Sequence, residues 1–431
     1  MNALSGPSPR AAKERRNAPS MTCGKMHLVL VSSLVPVDNP ASGFDIANRA
    51  VLDGLLALGH RVSVIGFLQP GRRPAPDCEM HLLGELEVTN AKAGRLQKLS
   101  WLATAFLNRT SVSSAKMLGV SAGRIQSILD GLAPFDGLVL NSVQLPAAFA
   151  QVFRSYPSIY VAHNVEADSA LENAERAKGL LERFLFRREA LYLERYEQQL
   201  AQNAVGLWTF AEADRLGFGR AVYDRAFVLP LVTGWDAPIV PDVQRQHDLG
   251  LIGTWSWRPN RLGLDWFLDQ VVPHLPQDMS IAIAGQLDGA PVVSHPGIRF
   301  VGRVPDARAF VAASAVVPLI SRGGTGVQLK SIETFELGMP SVATQASLRG
   351  IETIPENCTP TDDPREFARL LVEKVAHARA GLSQRLDGAA FHRTQKARMM
   401  QVMLDVLPGL AANDASAQVR PRLKVHDGGR S

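Results

Sequence analysis

Two series of short apolar segments, each alternating with amphipathic helical patterns, constrain the fold of this chain most strongly. The first series lies at 26–35, 61–67, 136–142, 158–164, 204–211 and 225–231. The second series lies at 248–255, 280–286, 298–304, 313–320 and 340–345. Continuous apolar runs are typical of strands buried on both faces, and their alternation with helices indicates parallel sheets. The sequence therefore predicts an α/β protein with two Rossmann-like, doubly wound parallel sheets.

The two series are separated by a segment that has the composition of a linker. Residues 236–246 contain Pro238 and Pro241 and show neither helical nor strand periodicity. We therefore expect an N-terminal domain at 25–235 and a C-terminal domain at 247–390. In open parallel sheets, ligands bind outside the carboxyl ends of the strands, so the site is expected where these ends meet.

The positive charge of the chain is concentrated at its two ends. The formal net charge is +5, of which residues 1–26 carry +4 and residues 413–431 carry +2, so the body is close to neutral. We expect both tails, 1–24 and 413–431, to be disordered. A nucleic-acid site requires cations clustered on the folded body, so we expect no nucleic-acid partner. The basic tails have two alternative roles. They can contact an anionic membrane, or they can only keep the chain soluble.

The cysteines and the hydropathy pattern bear on the compartment. The three cysteines lie far apart and form no CxxC motif, which predicts no structural disulfide. No apolar run reaches the length of about 18 residues that a membrane-spanning helix requires. The N-terminal residues show no apolar stretch typical of a secretory signal. These observations favour a cytoplasmic location.

The stretch SRGGTG at 321–326 places three glycines between a strand and a helix pattern. Backbone N–H groups and the helix dipole at such a position can hold a phosphate, because glycine allows close approach. Lys330 adds a positive charge, and Glu333, one helical turn on, can accept hydrogen bonds from ribose hydroxyls. This combination indicates a nucleotide diphosphate. The alternative is a glycine turn followed by a surface ion pair.

The segment GVQLKSIETFELGMPSVAT, 326–344, resembles the donor motif of GT-B glycosyltransferases of the family 4 group, which includes bacterial polysaccharide enzymes. The positions in register are Gly326, Leu329, Lys330, Glu333, Gly338, Pro340, Val342, Ala343 and Thr344. Segments 251–276 and 300–320 are similar to two further stretches of the donor domain, and AHNVEAD at 162–168 resembles the His-Asn-x-Glu segment of the family. Three motifs in the right order make this resemblance specific. It covers roughly residues 26–405.

The resemblance implies the GT-B architecture, in which two Rossmann-like domains face a cleft. The N-terminal domain then holds the acceptor, the C-terminal domain holds a nucleotide-diphosphate sugar, and a last helix at 391–412 packs back on the first domain. The implied reaction is a metal-independent transfer of a sugar, with retention of configuration, to a hydroxyl of a glycan or a lipid-linked acceptor. The implied context is bacterial surface polysaccharide assembly, with the protein in the cytoplasm or peripheral at the inner face of the cytoplasmic membrane. The nucleotide sugar is a co-substrate, and no cofactor is expected.

The resemblance also assigns site residues. Those expected to be catalytic are His163 and Lys330. Those expected to bind the donor are Gly324, Thr325, Gly326, Lys330, Glu333, Arg258 and Asn260. Those expected on the acceptor side are Gly43, Asn164 and Glu166. For His163 and Arg258 the alternatives are a hydrogen-bonded histidine at a strand end and a solvated loop arginine.

The sequence departs from the family at positions that bear on function. Thr325 stands where members often carry the first of two glutamates, and Gln328 replaces the usual arginine after Gly-Thr. A non-catalytic relative that binds polysaccharide precursors therefore remains open, as does a nucleotide-sugar 2-epimerase of the same architecture. The chain contains no Asp-x-Asp motif of the kind that holds a divalent ion on a diphosphate, so no metal site is expected.

The segment RLQKLSWLATAFLNR, 95–109, has an apolar helical face flanked by Arg95, Lys98 and Arg109. Such a helix can lie on a membrane surface with its apolar face buried in the headgroup region. It can equally be a core helix of the first domain with basic edges. The sequence leaves both interpretations open.

Overall fold

The computed structural model describes residues 24–411 except 89–93, 288, 290, 292 and 383. The predicted tail 413–431, and all but the last residue of the predicted tail 1–24, lie outside the described residues. The chain is built on two parallel sheets that follow one another in sequence. Each sheet takes its strands from one of the two apolar series.

The first sheet has seven strands in the order β3-β2-β1-β4-β5-β6-β7, and every neighbouring pair is parallel. The strands are β1 (His27–Leu34), β2 (Arg61–Leu68), β3 (Glu79–Glu85), β4 (Gly137–Asn141), β5 (Ser158–Ala162), β6 (Gly206–Thr209) and β7 (Ala226–Val228). The helices between them are α1 (Gly43–Ala57), α2 (Arg95–Leu107), α3 (Val112–Ala115), α4 (Ala122–Leu132), α5 (Gln144–Ala148), α6 (Ala150–Phe153), α7 (Glu166–Arg176), α8 (Leu180–Asn203) and α9 (Glu212–Gly217).

The second sheet has six strands in the order β10-β9-β8-β11-β12-β13, again with parallel neighbours throughout. The strands are β8 (His247–Ile252), β9 (Ile281–Ala284), β10 (Ile298–Gly302), β11 (Ser314–Leu319), β12 (Ser341–Ala343) and β13 (Cys358–Pro360). The helices are α10 (Arg258–Trp266), α11 (Ala307–Ala312), α12 (Leu329–Glu336), α13 (Pro364–Arg379) and α14 (Gly388–Val406).

In both sheets the strand order reverses beside the first strand of the set, between β1 and β4 and between β8 and β11. Such a switch point opens a crevice at the carboxyl ends of the strands. The predicted fold class, two Rossmann-like sheets in an α/β protein, is confirmed. The Glu-, Arg- and Leu-rich sequence at about 171–203 predicts one long helix, but the structure has two helices here, which end at Arg176 and begin at Leu180.

The last helix, α14, packs against the core of the first sheet. Met399 and Met403 belong to the same buried cluster as Leu28 and Leu30 of β1. A Cβ atom built on Gly54 of α1 would lie 2.8 Å from the Met403 Sδ atom, so a larger residue there would require the methionine side chain to shift. The chain thus crosses from the second sheet back to α1 at its end.

Candidate functional site

A cleft of about 890 Å³ lies between the two sheets, at the carboxyl ends of their strands. The first domain contributes Ser42 and Gly43 at the start of α1, and the second domain contributes Thr254, Asn260, Arg303, Thr325, Lys330 and Glu333, among others. This volume lies within the range of sites that bind small molecules and cofactors. The cleft therefore brings together residues from both halves of the chain.

Lys330 lies in the first turn of α12, on the wall of the cleft. Its Nζ atom donates to Asn260 Oδ1 at 3.0 Å and lies 5.3 Å from the centroid of the Trp255 ring. The Asn260 amide is oriented by its Nδ2 group, which donates to the Thr254 carbonyl oxygen at 3.0 Å. Burial lowers the pKa of the Lys330 ammonium to about 8. An ammonium group with so few partners is well placed to bind an anionic group.

Glu333 follows one turn later and also lines the cleft. Burial raises the pKa of its carboxyl, and the positive charge of Arg308 opposes this effect. The Arg308 Nε atom lies 3.5 Å from Glu333 Oε1, and its Nη2 group donates to Thr233 Oγ1 at 3.0 Å. Arg308 therefore holds the carboxylate at the cleft wall, where it can accept hydrogen bonds.

Glu336 lies three residues after Glu333, but it is buried away from the cleft. Its carboxylate accepts hydrogen bonds from the backbone N–H of Thr233, at 3.1 Å, and from the Thr233 hydroxyl. Its Oε1 atom also lies 3.0 Å from Nδ1 of the buried His392 in α14. Glu336 thus joins α12 to the segment between the sheets and to the last helix. This role is structural.

The two glutamates are expected to respond differently to the same substitution. Glu333→Gln should weaken nucleoside diphosphate binding by about tenfold, because an amide accepts hydrogen bonds less strongly than a carboxylate. Glu336→Gln should lower the melting temperature and weaken nucleotide binding less, because its contacts are buried and internal. Calorimetric titration and thermal unfolding of both variants make the comparison. Equal losses of affinity would contradict these assignments.

The glycine loop contacts the first domain closely. Thr325 Oγ1 accepts from Asn164 Nδ2 at 2.9 Å and lies 2.6 Å from Ser169 Oγ. Gly326 has φ +76°, and a Cβ atom there would lie 3.1 Å from the His163 carbonyl oxygen. Glycine is therefore required by the backbone conformation and by the approach of the two domains. Thr325 lines the cleft, whereas the lining residues include neither Gly324 nor Gly326.

Two charged residues hold the same loop from either side. Arg349 donates to the carbonyl oxygens of Gly323, at 3.2 Å, and of Gly324. Burial raises the pKa of the Asp214 carboxyl to about 6, against the opposing effects of the Val165 amide, Arg349 and the Gly326 amide of the loop. Asp214 belongs to the first domain and Arg349 to the second. The loop that follows β11 is thus fixed by contacts across the cleft.

His163 follows β5 and is enclosed by aromatic rings of the first domain. Its ring stacks on Phe44 at 4.8 Å and meets the edge of Phe210 at 5.0 Å. Phe44 is the neighbour of Gly43, which lines the cleft. Burial lowers the pKa of His163 to about 3, so the imidazole is neutral at neutral pH.

A chain of amides fixes the tautomer of His163. Asn48 Nδ2 donates to the Leu34 carbonyl oxygen at 2.7 Å, and Asn141 Nδ2 donates to Asn48 Oδ1 at 2.6 Å. The Asn141 Oδ1 atom is left as an acceptor 2.8 Å from His163 Nε2, which must therefore carry the proton. Nδ1 keeps its lone pair and is available as an acceptor. The sequence analysis did not identify Asn141, Asn48 or the two phenylalanines.

Six of the residues expected at the site do not line the cleft: His163, Asn164, Glu166, Arg258, Gly324 and Gly326. Arg258 is exposed at the first position of α10, with Nη1 3.4 Å from the Arg176 carbonyl oxygen. It therefore contacts α7, whereas the sequence predicts it on the diphosphate. Glu166 lies in the first turn of α7, where Oε1 accepts from Gln144 Nε2 at 3.2 Å and burial raises the pKa of the carboxyl.

Gly43 does line the cleft, at the N-terminus of the 15-residue helix α1. Ser42 Oγ accepts from the Asp45 N–H, and the Asp45 carboxylate accepts from the Ser42 N–H, both at 3.1 Å. This capping box fixes the start of the helix. Arg303 is a lining residue that the sequence analysis missed, and its Nη2 group donates to Gln286 Oε1 at 2.7 Å.

The part of the chain that the structure describes contains no group of three or more His, Cys, Asp or Glu side chains that could hold a metal ion. The polar groups that line the cleft next to Lys330 are amides, hydroxyls and the carboxylate of Glu333.

Comparison with a family model identifies the second sheet and its helices. Residues 246–376 match the model described as Glycosyl transferases group 1. These residues form a group 1 glycosyltransferase domain. It contains Lys330, Asn260 and Glu333, and it is the domain for which the sequence resemblance was densest. The predicted enzyme class, glycosyltransferase, is confirmed. No curated protein matches the chain by sequence.

Solved structures extend the likeness over both domains of this glycosyltransferase. The structure of Anabaena Alr3699/HepE in complex with UDP and glucose is 12% identical, with a TM-score of 0.56 over 89% of this chain and 99% of that chain. TarM is 10% identical, with a TM-score of 0.56 over 90% and 99%. The alpha,alpha-trehalose 6-phosphate synthase from Burkholderia multivorans is 13% identical, with a TM-score of 0.55 over 95% and 100%. At these identities the likeness shows the fold, which is GT-B.

Proposed function

We propose that this glycosyltransferase transfers a sugar from a nucleotide-diphosphate sugar to a hydroxyl of a glycan or lipid-linked acceptor. The observation that carries the proposal is the pair Lys330 and Glu333 on one face of α12, within a cleft of about 890 Å³. An ammonium and a carboxylate one helical turn apart match the diphosphate and the ribose of one nucleotide. The solved structure of Anabaena Alr3699/HepE contains UDP and glucose, which fits a donor of this class.

The reaction breaks the bond between the anomeric carbon and the diphosphate and forms a bond to the acceptor oxygen. The acceptor hydroxyl releases its proton to solvent, and the nucleoside diphosphate leaves with an additional negative charge. Lys330, held by Asn260 at 3.0 Å, is positioned to stabilise that charge. His163 is neutral and its Nε2–H donates to Asn141 Oδ1, so its proposed role is to accept a hydrogen bond at Nδ1 from a hydroxyl at the sugar end of the donor. Retention of configuration is part of the proposal and follows from the family resemblance.

Metal independence is also part of the proposal. With no Asp-x-Asp motif in the sequence, the diphosphate must be neutralised by protein groups such as Lys330 and by the start of α12. We expect the activity of the protein to survive EDTA unchanged. The measurement is the initial rate of nucleotide release before and after chelation. Activity abolished by EDTA and restored by Mg²⁺ or Mn²⁺ would overturn a metal-free reaction.

The proposed context is bacterial surface polysaccharide assembly on the cytoplasmic side of the membrane. The test is nucleotide release from a panel of nucleotide sugars, with and without lipid-linked and soluble glycan acceptors. Release that depends on the acceptor, with the sugar recovered on the acceptor, supports the proposal. Recovery of an epimerised sugar, or binding without turnover on any member of the panel, would contradict it.

A further inference from the structure

Helix α2 buries few of its residues against the protein, and much of its apolar face is exposed. Trp101 and Ala105 are its buried residues. Leu96 is 83% exposed, Leu99 61% and Leu107 84%. Of the two interpretations of this segment, the structure disfavours a core helix, because most of its leucines contact no core.

The first turns of α8 also expose apolar side chains. Leu180 is 84% exposed, Leu181 70% and Phe184 57%. Arg188, one turn after Phe184, donates to the Ala105 carbonyl oxygen at 2.8 Å. We call the six exposed side chains Leu96, Leu99, Leu107, Leu180, Leu181 and Phe184 the α2–α8 surface.

The same arginine ties the two helices together through an aromatic contact. The Arg188 guanidinium lies 4.3 Å from the centroid of the Phe106 ring, next to Leu107. Leu99 lies seven residues before Phe106, so both are on one face of α2. The two helices are therefore in contact at Arg188.

Basic side chains outnumber acidic ones in the segments that carry this surface. Residues 94–111 carry three basic side chains and no acidic one, and residues 177–188 carry four basic side chains and one acidic one, Glu182. Exposed leucines among basic residues fit an anionic lipid surface, in which the apolar groups enter the headgroup region and the cations contact lipid phosphates. A second copy of this chain would bring like charges together, which disfavours self-association through this surface.

We infer that the α2–α8 surface binds the face of an anionic phospholipid membrane. In the part of the chain that the structure describes, no helix is long and apolar enough to cross a bilayer. The contact is therefore one of helices lying on the lipid surface.

The start of α8 lies close in sequence to residues that contact the glycine-loop edge of the cleft. Arg176 at the end of α7, four residues before Leu180, accepts from Arg258 at its carbonyl oxygen. Its Nη2 group lies 3.7 Å from the Cβ position of Gly323 in the glycine loop. Membrane binding through α8 would thus hold the glycine-loop edge of the cleft close to the lipid. This consequence rests on the proposed function, whereas the membrane contact does not.

Vesicle flotation of the full chain tests the inference. The vesicles are phosphatidylcholine alone and an equimolar mixture of phosphatidylcholine and phosphatidylglycerol. We expect the chain to float with the anionic vesicles, to bind neutral vesicles much more weakly, and to be released by salt, which screens the lipid charge. A chain that does not float with the anionic vesicles overturns the inference.

Matched variants test which residues make the contact. The double variant Leu107→Ser with Leu180→Ser should lower vesicle affinity by at least about tenfold, because both side chains are exposed and would be buried in lipid. The charge reversal Lys98→Glu with Arg187→Glu should remove the preference for phosphatidylglycerol. The control is Ile239→Ser with Leu382→Ser, which replaces two leucine-sized residues of 85% and 60% exposure elsewhere.

Two readouts distinguish a membrane contact from misfolding of the variants and from self-association. Nucleoside diphosphate affinity should be the same in all three double variants, which shows that they fold and that the donor site is intact. Equal loss of flotation in the control would overturn the inference. So would a wild-type dimer that becomes monomeric in the leucine variant without any vesicle binding, since the surface would then contact protein.

Discussion

Replacing Lys330 by alanine is expected to lower kcat/KM for the nucleotide sugar by roughly tenfold to a hundredfold. The reason is the loss of a charge-assisted contact to the leaving diphosphate, in a cleft where the Nζ atom has Asn260 as its hydrogen-bond partner at 3.0 Å. The fold should be unaffected, because the side chain lies on the cleft wall. The measurement is steady-state transfer together with thermal unfolding. Near-normal kinetics in a folded variant would show that Lys330 is not at the reacting groups.

The pH dependence gives an independent test of the same residue. Burial lowers the pKa of Lys330 to about 8, and the proposed contact with the diphosphate requires the protonated form. Nucleoside diphosphate affinity should therefore fall as the pH rises through about 8, by up to about tenfold per pH unit. Lys330→Arg should not show this fall in affinity at high pH, because a guanidinium group stays protonated. Lys25→Ala, at an exposed lysine outside the cleft, serves as the control with wild-type behaviour.

Replacing His163 by alanine is expected to lower kcat by roughly tenfold to a hundredfold while changing nucleoside diphosphate affinity little. His163 belongs to the first domain, and under the proposed function the second domain binds the nucleotide, so the sugar end of the donor is expected to face His163. Because the pKa of His163 is about 3, it should contribute no titration step to kcat near neutral pH. The measurement is kcat beside direct nucleotide titration. Loss of nucleotide affinity with an unchanged kcat would place the residue in the wrong half of the cleft.

Asn164→Ala is the matched control for His163→Ala and should act more mildly. The Asn164 amide turns toward the glycine loop and donates to Thr325 Oγ1 at 2.9 Å. Its loss removes one neutral hydrogen bond, about 1 kcal/mol, between the two domains. Asn141→Ala, by contrast, should share part of the His163 phenotype, because Asn141 fixes the tautomer of His163 through the bond at 2.8 Å.

The fold was largely predictable because buried parallel strands have a continuous apolar sequence. β3 and β13 were missed, since the half-exposed β3 and the three-residue β13 lie at sheet edges and lack such a run. The break between α7 and α8 was also missed, because Glu, Arg and Leu continue on both sides of it. The start of α7 is set by Glu197 of α8, whose carboxylate accepts from the N–H groups of Glu166 and Ala167 at 2.8 and 3.1 Å. Such a contact between separate helices leaves no local pattern.

The site was predictable where its residues share one helix or one motif. Lys330 and Glu333 lie on the same face of α12, and both line the cleft. Arg258 was placed on the diphosphate, but the direction of its side chain depends on how α10 is rotated against the first domain, which sequence does not reveal. Arg303 and Arg308 were missed because each is paired with a residue far away in sequence, Gln286 and Thr233.

Calorimetric titration of a panel of nucleoside diphosphates against the wild-type chain and Lys330→Ala tests the central claim most directly. The claim is that the cleft binds the nucleotide of the donor through α12. It predicts that one nucleoside diphosphate binds the wild-type chain with a stoichiometry of one, raises its melting temperature, and binds Lys330→Ala at least about tenfold more weakly. Binding of equal strength to both proteins, or binding of no member of the panel to the folded wild-type chain, would contradict it.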